Sequence, residues 1–273
     1  MLVSGPWRRT VRPEATPRRS DRECTAPPQP TRPIASAIMA AEPTLCTLHI
    51  GDDPTTWRAA GFDISQRSTT IPAIQLGAVS IQLHGADGPR GLLRWDLVLP
   101  ERSASQADSP PSAFAGGDLD GLPTAWVADT PEASLATHPN RVSSIDHIVV
   151  SSPDVDRTVR ALTTHGFRER RRRTTGRYGE PMVQVFFWVG DVILELVGPT
   201  DVPADPGGPA AFFGLALTSA NLEATAVGLG DLLGPPREAV QPGRFISTLR
   251  LDRVGGSVPT VIMSPHPGDP ASA

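Results

Sequence analysis

Two residues near the middle of the chain are of types that do chemistry, and they stand in unexpected surroundings. Glu195 lies inside VILELV, a strand-like run that is otherwise apolar on both faces. A carboxylate buried there without a partner is heavily penalised, so Glu195 must meet a cation, a proton or a metal. His147 stands similarly inside IDHIVV. Alternation along a strand puts Ile145, His147 and Val149 on one face, and Ile193, Glu195 and Val197 on one face of the other. If both faces border one cavity, an imidazole and a carboxylate converge there. They would supply two ligands to a divalent ion such as Zn, Mn, Ni or Fe, which takes three or four from a protein. A plain His–carboxylate hydrogen bond that satisfies two buried polar groups is the other reading of the pair.

An internal repeat enlarges the candidate set. LGAVSIQLHG (Leu76 to Gly85) lies without gaps on VGDVILELVG (Val189 to Gly198), which sets Gln82 against Glu195. Upstream, TLHIGDDP resembles IDHIVVSSP with one residue inserted, which sets His49 against His147. Pairing the two copies would gather His49, Gln82, His147 and Glu195 at one centre with four N/O donors. The one-residue shift bears directly on His49, because a slip of one on a strand reverses its face.

Other side chains are candidates for binding. Gln184, Phe186 and Trp188 share one strand face and could line a substrate cavity, although an aromatic row at period two also suits an ordinary core. The run RERRRR (Arg168 to Arg173) could hold an anion, but on a strand it reads better as a solvated edge that discourages sheet-to-sheet association. Tyr178 sits in a turn-like GRYGEP segment. His84, His138, His165 and His266 have no evident partners in the sequence. No nucleophile elbow, CxxC pair, phosphate loop or dinucleotide fingerprint occurs.

The elements that must position these residues are legible. Ile145 to Val150 is a β-branched run, Pro153 and Asp154 mark a helix start, and Gly166 ends the helix. A polar strand over Arg168 to Thr174 follows, then Met182 to Val189, a Gly190-Asp191 turn and Val192 to Val197. The order β-α-β-β-β recurs more faintly from Phe212 to Met263. Pro-, Ser- and Gly-rich breaks at 101–118 and 199–209 set off four parts. They are an Arg/Pro-rich tail at 1–38 that reads as disordered, a degenerate module at 45–128, a two-module domain at 143–264 and a tail at 265–273. Met39 directly precedes the patterned part and could be the translation start.

Composition excludes several classes. All 25 Lys-plus-Arg residues of the 273 are Arg, which removes Schiff-base chemistry and the phosphate-loop lysine. Two Cys rule out a disulfide scaffold. Residues 1–38 hold seven Arg against three acids while the whole chain carries −4, so the patterned part is acidic and no nucleic acid is expected as partner. No run of about 18 apolar residues occurs, so no membrane span is expected, and a cytoplasmic setting follows as the default.

IDHIVVSSPDVDRTVRALTTHGF followed by VGDVILELVGP resembles a module of the vicinal oxygen chelate superfamily, the group of glyoxalase I, extradiol dioxygenases, methylmalonyl-CoA epimerase and bleomycin-resistance proteins. The resemblance implies an α+β fold in which paired βαβββ modules form a cupped, barrel-like sheet. It implies that His147 and Glu195 are metal ligands, that the metal binds vicinal oxygens of a small-molecule ligand, and that Glu195 is catalytic in lyase, isomerase or dioxygenase chemistry. The module after Pro209 departs from the pattern. Its ligand positions fall near Gly214 or Leu215 and at Thr260 to Ile262, where no side chain ligates, so the cup would hold half a metal site. A metal-free protein that binds or sequesters a small molecule is therefore the alternative. A homodimer, with a degenerate repeat kept for subunit association, is a further expectation.

Overall fold

The computed structural model describes residues 42–65, 71–98, 117–128, 136–176, 180–202 and 206–267, all within one compact unit. The Arg/Pro-rich tail, Met39, most of the 101–118 segment, Tyr178 and the last six residues lie outside the described residues.

Residues 143–264 form the βαβββ pattern twice, as expected. The first copy runs β7 (Val142–Ser151), α2 (Val155–Thr164), β8 (Glu169–Thr175), β9 (Met182–Val189) and β10 (Val192–Pro199). The second runs β11 (Ala211–Ser219), α3 (Leu222–Leu229), β12 (Arg237–Glu238), β13 (Phe245–Leu249) and β14 (Thr260–Met263). One capping device starts both helices. Asp154 accepts from the Arg157 N–H while its own N–H donates to the Ser152 hydroxyl, and Asn221 and Ser219 repeat this arrangement with Ala224. These bonds satisfy the orphan amides that every helix start exposes. Thr158 and Thr225 stand at matching places one turn later and bond back to Ser152 and Ser219.

The eight strands form one sheet in the order β12-β13-β14-β11-β7-β10-β9-β8. In each module the first and last strands pair in parallel, β7 with β10 and β11 with β14, and the modules join through an antiparallel β7–β11 seam. Three register shifts interrupt the seam, one of them at Ser143. Asp146 is an extra residue between Ile145 and His147, which pair with Leu217 and Ala216, and Phe213 is extra between Phe212 and Gly214. A bulge residue leaves the strand's alternation, so Asp146 joins His147 on one face instead of opposing it.

The N-terminal part is built on the same plan. β1 (Thr44–Ile50), α1 (Pro54–Ala59), β2 (Ala73–Leu76), β3 (Val79–Leu83), β4 (Leu92–Val98), β5 (Gly117–Leu119) and β6 (Leu122–Val127) form a sheet in the order β2-β3-β1-β4-β6-β5. β1 is parallel to β3, β4 is parallel to β6, and β1 and β4 meet antiparallel. The central order β3-β1-β4-β6 thus repeats β10-β7-β11-β14, and the sequence reading of one module here missed the second parallel pair.

A single core joins the two sheets. Ile148, Val150, Leu194, Leu196, Leu215 and Leu217 on one side, and Leu48, Ile50, Ile81, Trp95 and Leu97 on the other, belong to one buried cluster. Trp95 of β4 is its cross-link, stacked on Phe167 at 5.8 Å between ring centroids and edge-on to Phe212 at 5.4 Å. Its indole N–H donates to the Thr124 hydroxyl, which satisfies the one polar atom such a ring buries. Among the described residues no helix is long and apolar enough to cross a membrane.

Trp95→Ala should remove about 3–5 kcal/mol of stability, the cost of a large aromatic truncated in a core. Trp95→Phe should lose less, because it keeps the stack and gives up the hydrogen bond. Urea unfolding of the three proteins checks the order.

Candidate functional site

The Asp146 bulge organises the site. It brings the Asp146 carboxylate within 2.7 Å of Nδ1 of its neighbour His147. A carboxylate only accepts, so Nδ1 carries the proton and Nε2 is aimed away from Asp146. Nε2 lies 3.4 Å from Oε2 of Glu195 on β10. The other oxygen of Glu195 accepts from the Gln184 side-chain amide on β9, and the Gln184 carbonyl accepts from Nε of Arg173 at 2.7 Å. The Arg173 guanidinium also lies over the Phe186 ring, 5.3 Å from its centroid. His147 and Glu195 are thus each gripped from behind and present one free atom to the other.

Asp146 is itself held from the second module. Arg244, whose side chain is 0% exposed, donates to it at 2.7 Å and spends its other N–H groups on the Ser264 carbonyl, the Gln241 side chain and Nε2 of His266. His266 stands 3.6 Å from the same carboxylate. Burial by itself pushes the Asp146 carboxyl up. The hydrogen bonds and charges of His147 and Arg244 outweigh burial and hold it well below the usual carboxylate range.

The sheet curls around a cavity of about 450 Å³ bordered by His147, Glu195, Gln184, Phe186 and Trp188 on its inner strands and by residues of both edge strands, β8 and β12. Trp188 is 42% exposed. Arg171 of β8 and Arg237 of β12 line it from opposite edges. Among the described residues neither guanidinium has an ion-pair partner, whereas Arg170 is paired with Glu42 and Arg172 with Glu169 and Asp156. The arginine run is an edge strand, as its sequence suggests. Three of its side chains nevertheless face the cavity instead of bulk solvent alone.

The structure brings together His147, Glu195, Gln184, Phe186 and Trp188, and keeps His49 and Gln82 apart from them on the six-stranded sheet. His49 is engaged there, with Nδ1 2.9 Å from Nε2 of His84 and Nε2 2.8 Å from Asp96 and 2.9 Å from Arg94. Strand register explains the separation. Gln82 pairs with His49, whereas Glu195 pairs with Val149 and His147 with Ile193. If Gln82 answers to Glu195, then His49 answers to Val149, and Thr47 takes the place of His147.

Sequence reasoning missed Asp146, Arg244 and His266. Asp146 was not singled out, because strand alternation sets it opposite His147 and knows nothing of a bulge. Arg244 is 98 residues away from its partner, with no local signal. The capping motifs fix the counterparts of the pair in the second module. Ser219 and Asn221 answer to Ser152 and Asp154, so Gly214 answers to His147. Val261, which pairs with Ala216, answers to Glu195. Neither can ligate, and among the described residues no group of three His, Cys, Asp or Glu is placed to hold a metal. The donor set fits half of a divalent site and does not complete one from protein alone.

The buried ion pair generates a stability test. Arg244→Met should cost about 3–5 kcal/mol by leaving the Asp146 carboxylate without its guanidinium, and the double variant with Asp146→Asn should regain part of the loss. Because Asp146 is held ionised, its contribution is present above the unfolded carboxylate value of about 4 and is lost as pH falls through the lower folded value. The destabilisation of Asp146→Asn should therefore be full at neutral pH and shrink under acid, as read from urea unfolding at each pH.

No family model and no curated protein sequence matches the chain. Solved structures do. A catechol 2,3-dioxygenase matches with a TM-score of 0.54 at 16% identity, over 84% of this chain and 91% of its own. A triple mutant of 4-hydroxymandelate synthase from Streptomyces coelicolor gives 0.53 at 12% identity, over 84% and 95%. A fusion of a xylose isomerase-like TIM barrel with 4-hydroxyphenylpyruvate dioxygenase gives 0.53 at 13% identity, and this chain spans 53% of it. At such identities the likeness speaks for fold alone, and it agrees with the paired modules and the cup seen here. This chain therefore shares with these structures a fold of paired βαβββ modules curled into a cup.

Proposed function

We propose that this chain binds a small anionic molecule in the cup of the eight-stranded sheet and moves a proton on it through His147 and Glu195. Residues 143–264 would be the working domain and residues 45–128 its companion. One observation carries the reading. Nε2 of His147 and Oε2 of Glu195 face each other across 3.4 Å at the cavity wall, each fixed from behind by a hydrogen bond. Rigid placement of an acid and a base beside one bound molecule is what proton transfer demands.

In the chemistry this supports, the Glu195 carboxylate takes a proton from a carbon next to a carbonyl. A proton carried on Nε2 of His147 passes to the oxygen that gains the electron pair. Asp146, bonded to Nδ1, keeps the ring oriented. Return of the proton elsewhere is an isomerisation, and loss of a neighbouring substituent is a lyase reaction. Arg171 and Arg237 supply the attraction for an anionic group. Phe186 and Trp188 supply apolar surface for the rest of the molecule.

A second reading rests on the same spacing. Two donors 3.4 Å apart can share a divalent ion at about 2.0–2.2 Å from each, and Zn, Mn, Ni or Fe held by His147 and Glu195 would need its remaining ligands from the bound molecule. Oxygen chemistry, as the names of the dioxygenase neighbours suggest, would fall under this reading.

A panel of 2-oxo and 3-oxo acids in deuterium oxide, followed by NMR, separates the cases. Exchange beside the carbonyl should survive dialysis against a chelator and fall about 10²–10⁴-fold in Glu195→Gln. Exchange that is lost on chelation and restored by one divalent ion would transfer the site to the metal reading. Saturable binding without exchange would leave a sequestering protein.

A further inference from the structure

His147 borders a second cavity as well as the charged one. It measures about 380 Å³, and its wall includes Val149, Phe213, Gly214, Thr248 and Val261. Apart from His147 and Asp252, no charged side chain lines it. Gly214 and Val261 are the counterparts of His147 and Glu195, so the half of the cup that lost polar side chains is the half that is apolar. Phe213, the bulge residue of β11, is 57% exposed. An aromatic ring left in water beside an apolar cavity is unfavourable alone and becomes favourable when an apolar group covers it.

We infer that the ligand of this cup is an amphipathic anion. Its charged head faces Arg171 and Arg237, its reacting carbon lies at His147 and Glu195, and an alkyl or aryl arm fills the second cavity. Charge places the head there, since the four arginines of the first cavity outnumber its three carboxylates, Asp146, Glu195 and Glu238, and Arg171 and Arg237 have no ion-pair partner among the described residues. The shared wall residue His147 sets the order, because it borders both cavities and so stands between the head and the arm. The inference rests on the anion-binding reading of the cup and adds the class of molecule.

Calorimetric titration of the full chain with two series, acetate to decanoate and methyl to decyl phosphate, tests it. Affinity should rise about three- to fourfold per methylene in mid-series and level off once the cavity is full. Thr248→Phe places a ring into the cavity from an exposed strand position that favours aromatics. It should abolish the length dependence and leave the shortest members unchanged, and Val261→Phe should do the same from the paired neighbouring strand. Replacing Arg171 and Arg237 together by Gln should weaken every member by a common factor of about ten.

If affinity ignores chain length while the double Arg variant still weakens binding, the apolar arm is wrong and the anion-binding cup stands. Length dependence that survives both Phe variants puts the arm elsewhere and overturns the inference. If neither series binds, the anion-binding reading falls with it.

Discussion

The site depends on one extra residue in β7. Without the bulge, Asp146 would face the core beside Ile148 and Val150, where a carboxylate has no tolerable partner. With it, the carboxylate reaches the cup face and finds both Nδ1 of its neighbour and the buried guanidinium of Arg244. Such a pair adds little net stability compared with an apolar replacement, because both ions lose their hydration. Its effect is positional. Arg244 precedes β13 in the second module and Asp146 belongs to β7 in the first, so the bond ties the modules together at the point where the imidazole must be aimed.

From that anchor the polar chain runs in one direction, from Arg244 through Asp146, His147, Glu195 and Gln184 to Arg173. Each member has its outer group satisfied by the next, which is why four polar side chains can stand on the inner face of a sheet without an orphaned atom. The widest gap is the 3.4 Å between His147 and Glu195. Every other link in the chain is a closer hydrogen bond, so the opening falls where a bound molecule would have its reacting group.

Much of this was legible in the sequence, and the rest was hidden for definite reasons. Strand period, the helix start at Asp154 and the glycine turns gave the βαβββ order, since each is a local signal. Glu195 and His147 stood out because burial makes a polar residue in an apolar run costly. His49 was misjudged because the repeat was aligned on letters, whereas equivalence in a sheet is set by pairing, and a register two residues away preserves the face while changing the partner. Arg244 could not be seen, because nothing in QPGRFIS says that its side chain is fully enclosed.

The arginine run shows how one sequence feature meets two physical demands. On an edge strand, charge discourages pairing with another sheet. A sheet that curls into a cup also brings its two edges towards one space, so residues that guard β8 and β12 against association become the walls of the cavity. Pairing then divides the labour within the run. Arg170 and Arg172 are neutralised by carboxylates, Arg173 supports Gln184, and Arg171 is left with no ion-pair partner among the described residues. Its charge and that of Arg237 thus border one cavity from opposite edges, beside the carboxylates of Glu195 and Glu238, and this placement follows from curvature rather than from any residue type.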